Sequence, residues 1–297
     1  MASHANQHTS DSGTSRYFVP SPSAWPFFLT AGLASVIVGV WSYLEDKNLG
    51  SLPIYAGVAM IVFIVFSWVR GVARESESGK YNAQVDRTFR WGMSWFIFSE
   101  VMFFAAFFGA LFYARELVVP WLGGIGAKLS THMTLWPHYE NTWPTNGPGV
   151  VGGKFETIAP WGVPFLNTIL LLSSGVTITI AHHALKDNKR WLCILFMWAT
   201  VAFGAAFLWF QAHEYMEAYS ELNLKLSSGI YGSTFFMLTG FHGMHVTLGT
   251  LMLIIITIRL MLGHFKPDHH FGFEGVAWYW HFVDVVWIGL FIFVYVL

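Results

Sequence analysis

Seven long stretches with almost no charged residues divide this chain. Five of them contain no Asp, Glu, Lys or Arg: residues 24–44, 51–69, 157–185, 191–213 and 226–258. Residues 91–114 contain only Glu100, and residues 275–297 contain only Asp284. A membrane-spanning helix needs about 20 predominantly apolar residues, and these stretches have about that length or more. The pattern therefore predicts an all-α integral membrane protein with seven transmembrane helices.

The composition agrees with lipid as the main solvent. Hydrophobic residues make up 55% of the 297 residues and charged residues 11%, whereas an average soluble domain has about a quarter charged residues. The net charge of −1 and the lack of a basic, aromatic-rich run argue against nucleic-acid binding. The single cysteine, Cys193, excludes an internal disulfide and a cysteine-based metal cluster within the chain.

The basic residues predict an orientation. With the N-terminus inside, only five of the 16 Lys and Arg residues face outward, namely Lys47, Arg115, Lys128, Lys154 and Lys225. Short cytoplasmic connections carry the excess of Lys and Arg in membrane proteins. We therefore expect a cytoplasmic N-terminus and an outer, periplasmic C-terminus. Residues 1–23 are polar and lack the apolar centre of a signal peptide, so we expect them to form a flexible cytoplasmic arm that stays on the chain.

The connections predict how the helices are grouped. A two-helix unit at residues 24–70 is followed by a basic cytoplasmic linker at 71–90 and a five-helix bundle at 91–297. The outward loop at 115–156 is rich in Gly, Pro and Trp, which favours a compact cap over the helix ends or over a partner. We find no internal repeat, and this lowers the expectation of a transporter built from inverted halves.

Glu100 lies near the middle of the third stretch, where an ionised carboxylate costs several kcal/mol. It should therefore face the bundle and be either neutral or partnered. Two interpretations have about equal weight. Glu100 is either a proton-exchanging, reactive carboxyl group or a protonated acid that bonds a neighbouring helix and fixes packing.

Histidines and a second acid occupy the last two stretches. His242 and His245 are three residues apart and share a helix face. A metal site would have to combine His213 and Glu217 from the outer side with His281 from the cytoplasmic side, which one ion cannot do. We instead expect interhelical hydrogen bonding, with backbones brought close by Gly240, Gly243 and Gly249. The expected polar network consists of His242, His245, His281 and Asp284.

Two histidine pairs and one arginine lie at the predicted cytoplasmic boundary. His182–His183 ends the fourth stretch and His269–His270 precedes the seventh, so we expect head-group contacts there, with metal ligation as the minor alternative. Arg259 closes the sixth stretch. It either extends its charge to the interface or holds a lipid phosphate with its guanidinium fork. The residues alone leave three classes open: an accessory subunit, a transporter that uses Glu100, and a membrane metalloenzyme. The spread of polar groups over both faces favours the accessory subunit.

Five groups of motifs decide between these classes. They are RWGM at 90–93 with FSEVMFF at 98–104; PFLNT at 164–168 with AHH at 181–183; QAHEYME at 211–217; YGSTFF at 231–236 with TGFHGMH at 239–245; and HHFGFE at 269–274 with WYWHFVDVVW at 278–287. In this order and spacing, over about residues 20–297, the chain resembles subunit III of bacterial cytochrome c oxidases.

The resemblance implies a non-catalytic core subunit. Haem and copper would lie in subunits I and II, and this chain would carry neither. The chain would support subunit I, which reduces oxygen to water and couples this reaction to proton pumping. A lipid-filled cleft would separate the first two helices from the other five, and bound phospholipid would help to sustain turnover. By the same resemblance, Glu100 is the buried carboxyl that reacts with carbodiimides, and Arg259 is a lipid head-group ligand.

Two features of the chain differ from the pattern of the family that it resembles. The outward loop is longer than in short mitochondrial members, and the arm with His4 and His8 has no family counterpart to compare. Subunit III of a quinol oxidase and a proton-coupled transporter that uses Glu100 remain as alternatives. Quinol oxidase subunits of this type usually have five helices, so seven favours the cytochrome c branch. The expected location is the bacterial cytoplasmic (inner) membrane.

Overall fold

The computed structural model describes residues 22–45, 51–79, 81–267 and 270–297. The predicted arm at 1–23 lies almost entirely outside the described residues. The helices are α1 (Trp25–Leu44), α2 (Leu52–Glu77), α3 (Ala83–Tyr113), α4 (Val119–Leu122), α5 (Leu129–Leu135), α6 (Val163–Lys186), α7 (Arg190–Ser220), α8 (Gly229–Met261) and α9 (Phe271–Leu290). Ala114–Val118 joins α3 to α4 as a π-helix, and Phe291–Val296 continues α9 in the same form.

Seven helices among the described residues are long and apolar enough to cross a membrane. This confirms the predicted all-α membrane architecture. The helices extend beyond the uncharged stretches at several ends. Helix α2 continues to Glu77 and α3 begins at Ala83, so most of the predicted linker at 71–90 is helical. An absence of charge marks only the part of a helix that lies in hydrocarbon, whereas backbone hydrogen bonding continues into the polar interface.

The chain divides into two compact units, and the division falls between Phe89 and Arg90 in the sequence. In the first unit, α1 and α2 form an antiparallel pair in which small residues meet the opposite helix. A Cβ atom on Gly39 would lie 2.6 Å from the backbone nitrogen of Ile54, and one on Gly57 would lie 2.7 Å from the carbonyl oxygen of Gly32. In lipid, no hydrophobic driving force holds two helices together. Close packing of their backbones stabilises the pair instead.

In the second unit, α9 is the central helix of a bundle that it forms with α3, α6, α7 and α8. The indole rings of Trp280 and Trp287 are both fully buried. Trp280 donates its Nε1–H to Ser174 Oγ at 2.8 Å, and Trp287 donates to Thr168 Oγ1 at 3.0 Å. Both bonds join α9 to α6, and they satisfy polar atoms that would otherwise be costly inside the membrane.

The predicted outward loop is a compact cap over the α7–α8 connection. Asn223 donates through Nδ2 to the carbonyl oxygens of Gly152 and Lys154, both at 3.0 Å. The ring of Tyr231, near the start of α8, stacks on Phe155 at 5.5 Å and meets the edge of Trp143 at 5.6 Å. The loop therefore packs over helix ends of its own chain.

Candidate functional site

Glu100 has a partner on another helix. Its Oε2 lies 2.9 Å from Nε2 of His245, which joins α3 to α8 near the middle of both helices. The His245 side chain is 7% exposed and the Glu100 side chain 23%. An isolated carboxyl group at this depth would be destabilising. Glu100 instead has a polar partner within the bundle, as intramembrane ionisable residues usually do.

The position of one proton in this pair follows from geometry. Nδ1 of His245 lies 2.6 Å from the carbonyl oxygen of Phe241. A carbonyl oxygen can only accept, so Nδ1 must carry a hydrogen. Two states then remain for Nε2. In a neutral imidazole it accepts a hydrogen bond from the protonated Glu100 carboxyl group, and in an imidazolium it donates one to the Glu100 carboxylate. The net charge of the pair is zero in both states, which limits its cost in a low-dielectric bundle.

Aromatic rings pack around the His245 end of the Glu100–His245 pair. Phe104 is 2% exposed and its ring meets the His245 ring edge-on at 5.1 Å. Tyr279 of α9 stacks on His245 with the ring centres 6.4 Å apart, and it donates to the His245 carbonyl oxygen at 3.4 Å. This arrangement fixes α3, α8 and α9 around one polar contact. Chemically, it can hold one exchangeable proton in a largely apolar surrounding.

His242 does not take part in the predicted hydrogen bonding. Its ring is 1% exposed and lies 5.1 Å from the Trp287 ring and 5.7 Å from the Phe207 ring. Within the described ranges, neither ring nitrogen has a hydrogen-bond partner. The three-residue spacing from His245 placed both on one face, but the rings differ in depth and reach different neighbours. The described residues therefore do not supply the interhelical bond that was expected at His242.

His281 and Asp284 form a separate contact on the α6–α9 face. His281 Nδ1 lies 3.9 Å from Asp284 Oδ2, and its Nε2 lies 3.4 Å from Thr179 Oγ1. In the part of the chain that the structure describes, Asp284 Oδ1 is buried without a hydrogen-bond partner. No direct hydrogen bond there links these residues to His245, so the four predicted residues form no single network.

The glycines beside the histidines also differ from the expectation. A Cβ atom on Gly249 would lie 2.8 Å from the Trp280 ring, so close packing requires glycine there. A Cβ atom on Gly243 would meet nothing within 4 Å, and one on Gly240 would lie 3.7 Å from the Tyr215 hydroxyl. Only one of the three positions is therefore a close approach.

Sequence reasoning missed another buried acid, Glu214 in α7, which is 1% exposed. Its Oε1 accepts hydrogen bonds from the Tyr295 hydroxyl at 2.6 Å and from Gln211 Nε2 at 3.2 Å. Glutamine and glutamate three residues apart on an otherwise apolar helix face were the available signal. The neighbouring His213 and Glu217, which the sequence analysis considered, are both exposed.

Basic residues collect where α3 and α9 begin and where α6 and α8 end, which we call the basic end. Arg90 forms an ion pair with Glu274 at 2.7 Å. Arg190 donates to the last carbonyl oxygens of α8, those of Leu260 and Met261, at 3.0 and 2.7 Å. Cationic side chains stabilise helix C-termini in this way.

Two of the predicted boundary residues lie at the same end. The Arg259 guanidinium lies over the Phe265 ring at 5.0 Å. His182 Nε2 lies 3.2 Å from His270 Nε2, whereas His269 falls outside the described residues. His183 is exposed and its Nδ1 lies 2.9 Å from the Thr179 carbonyl oxygen. Adjacent histidines thus point to different neighbours.

Comparisons with known proteins agree on one family. The family model for cytochrome c oxidase subunit III matches residues 15–297. Cytochrome c oxidase subunit 3 of Marchantia polymorpha is 43% identical over 94% of this chain and 95% of its own length. The Arabidopsis thaliana protein of the same name is 41% identical, with 94% and 95% covered, and the Danio rerio protein is 38% identical, with 94% and 96% covered. A helical membrane fold, a match over nearly the full length and these identities show that the chain belongs to the cytochrome c oxidase subunit III family.

Proposed function

We propose that this chain is a non-catalytic core subunit of a proton-translocating cytochrome c oxidase. It contacts subunits I and II, which carry the haem and copper, and it supports subunit I in reducing oxygen to water. The observation that carries the proposal is the way in which the buried acids are held. Glu100 and Glu214 each have partners nearby, and within the described residues no direct hydrogen bond links either of them to Asp284.

This arrangement suits packing better than proton transport. A transporter or pump needs a continuous chain of exchangeable groups across the bilayer, whereas Phe104 and Tyr279 pack against His245 on the inner side of the Glu100–His245 pair. A haem ligand is also poorly supported. His242 is 1% exposed and its ring packs against those of Trp287 and Phe207, so both ring nitrogens, one of which would have to reach a haem iron, are buried among side chains.

The proposal includes phospholipid binding at the basic end, with Arg259 as the head-group ligand. Arg259 lies two residues before the end of α8, and the proposal puts this helix end at the depth of the lipid phosphates. The planar guanidinium stacks on Phe265, which holds it in one orientation, and its donors match phosphate oxygens in pairs. The expected membrane is the bacterial cytoplasmic membrane, with the N-terminus inside.

The subunit role is tested with the whole complex. Oxidase purified with and without this chain should show the same haem spectrum and a similar initial rate, while the complex that lacks it should lose activity sooner during turnover. Adding the chain back should restore the lifetime. Equal lifetimes would remove the supporting role. A haem or copper that co-purifies with the chain after its partners are stripped away would revive an enzymatic role.

A further inference from the structure

A group of three possible ligands lies at the basic end, away from the Glu100–His245 pair. His182, His270 and Glu274 each offer one ligand atom, and these atoms all lie within 4.8 Å of one another. All three residues are partly buried, so an ion from the aqueous side could reach them. The sequence favoured head-group contacts over metal binding here, because histidine pairs at helix ends usually lie at the head-group boundary.

Local structure explains how the three side chains converge. His182 lies in the last turns of α6, which ends at Lys186. His270 immediately precedes α9, and Glu274 lies in its first turn. Positions four residues apart at a helix start face the same side, so His270 and Glu274 both point towards α6. The His182 ring is held against the ring of Phe273, with the centres 5.5 Å apart.

The distance between the two imidazole nitrogens fits a tetrahedral site. Two nitrogen ligands on a tetrahedral zinc ion are about 3.3 Å apart when each bond is about 2.0 to 2.1 Å long. The Nε2 atoms of His182 and His270 are 3.2 Å apart. Two imidazoles and one carboxylate leave a fourth position for water, and such a set suits zinc better than magnesium or calcium, which take oxygen ligands.

Arg90 completes the arrangement from the outside. Its Nη1 contacts Glu274 Oε2 at 2.7 Å, and a carboxylate can hold a guanidinium with one oxygen and a cation with the other. Groups that ligate metals are commonly oriented by such outer partners. We propose that His182, His270 and Glu274 bind one redox-inert divalent cation, zinc by its ligand chemistry, and that the ion clamps the end of α6 to the start of α9.

The proposal is tested by zinc titration of the purified complex that contains the full chain. After treatment with a chelator, zinc chloride is added and bound zinc is counted by elemental mass spectrometry. The wild type should bind one zinc ion more per complex than His182→Asn or His270→Asn, in which the apparent affinity for that ion should fall by at least about tenfold. His183→Asn is the matched control and should bind as the wild type does, because its ring points away from the site.

X-ray absorption at the zinc edge gives a second measurement that does not depend on the variants folding. The zinc lost in the two variants, or the last ion bound by the wild type if they do not assemble, should show two imidazole nitrogens and an oxygen at about 2.0 to 2.1 Å. Binding should also weaken as the pH falls, since protonated imidazoles cannot ligate. Equal zinc counts in wild type, His182→Asn and His270→Asn, or a first shell of oxygens only, would overturn the proposal.

Discussion

At the scale of single residues, the Glu100–His245 pair gives the sharpest prediction. In Glu100→Gln, the amide keeps most of the size of the side chain and can still donate to His245 Nε2. Loss or weakening of one such bond costs about 1 kcal/mol, too little to dismantle the bundle. We expect the variant to assemble, to turn over near the wild-type rate and to keep most of its proton-to-electron ratio in reconstituted vesicles.

The same variant has a chemical readout. Reaction with a hydrophobic carbodiimide needs a carboxylic acid in an apolar site, so the label that maps to α3 should disappear in Glu100→Gln and persist in Asp284→Asn, the matched control. If the proton-to-electron ratio fell to the value of a non-pumping oxidase with assembly intact, Glu100 would be an essential relay and the packing role would be wrong.

A substitution at Arg259 tests whether this residue binds lipid or only extends its charge to the membrane interface. Arg259→Ala should lower the phospholipid that co-purifies with the complex and shorten its active lifetime, while the initial rate stays nearly intact. Lys266→Ala removes an exposed charge near the same end and serves as the control. Native mass spectrometry can count the retained lipids. An unchanged count in Arg259→Ala would leave only the interfacial anchor.

At the scale of helices, the sequence predicts which segments form helices better than it predicts which helices contact one another. Charge-free stretches locate all seven spans because burying charge in lipid is costly, and that cost depends on each stretch by itself. Which helices touch depends on shape, and so the partner of Glu100 could not be predicted. The same reason applies to His242, whose neighbours are aromatic rings rather than the hydrogen-bonding groups expected from the sequence.

Close packing of α1 on α2 gives a prediction at this scale. A Cβ atom on Gly57 would lie 2.7 Å from a backbone oxygen of α1, so Gly57→Ala must push the two helices apart. Overpacking of this kind costs about 1 to 3 kcal/mol. Gly71→Ala in the same helix meets nothing within 4 Å and is the control. When the complex is titrated with a denaturing detergent, protease should cleave the α1–α2 pair of Gly57→Ala at a lower detergent concentration than that of Gly71→Ala or the wild type.

At the scale of the whole molecule, orientation follows from where the charges are collected. The bonds of Arg90 and Arg190 place the start of α3 and the end of α8 at one end of the bundle. The loop that contains Lys128 covers the opposite end. The excess of Lys and Arg belongs on the cytoplasmic side, so the basic end should face the cytoplasm and the loop should face outward.

Labelling of single cysteines tests this orientation in intact cells. The native Cys193 is fully buried and can be replaced by serine, which leaves a background without a reactive thiol. Lys128→Cys and Lys189→Cys then place one exposed thiol at each end of the bundle. A membrane-impermeant maleimide added outside should label Lys128→Cys, once the outer membrane is made permeable, and should label Lys189→Cys only after the inner membrane is opened. The reverse pattern would put the basic end outside. It would also move the zinc site and the Arg259 lipid site to the outer leaflet, because contacts within the bundle fix both to that end.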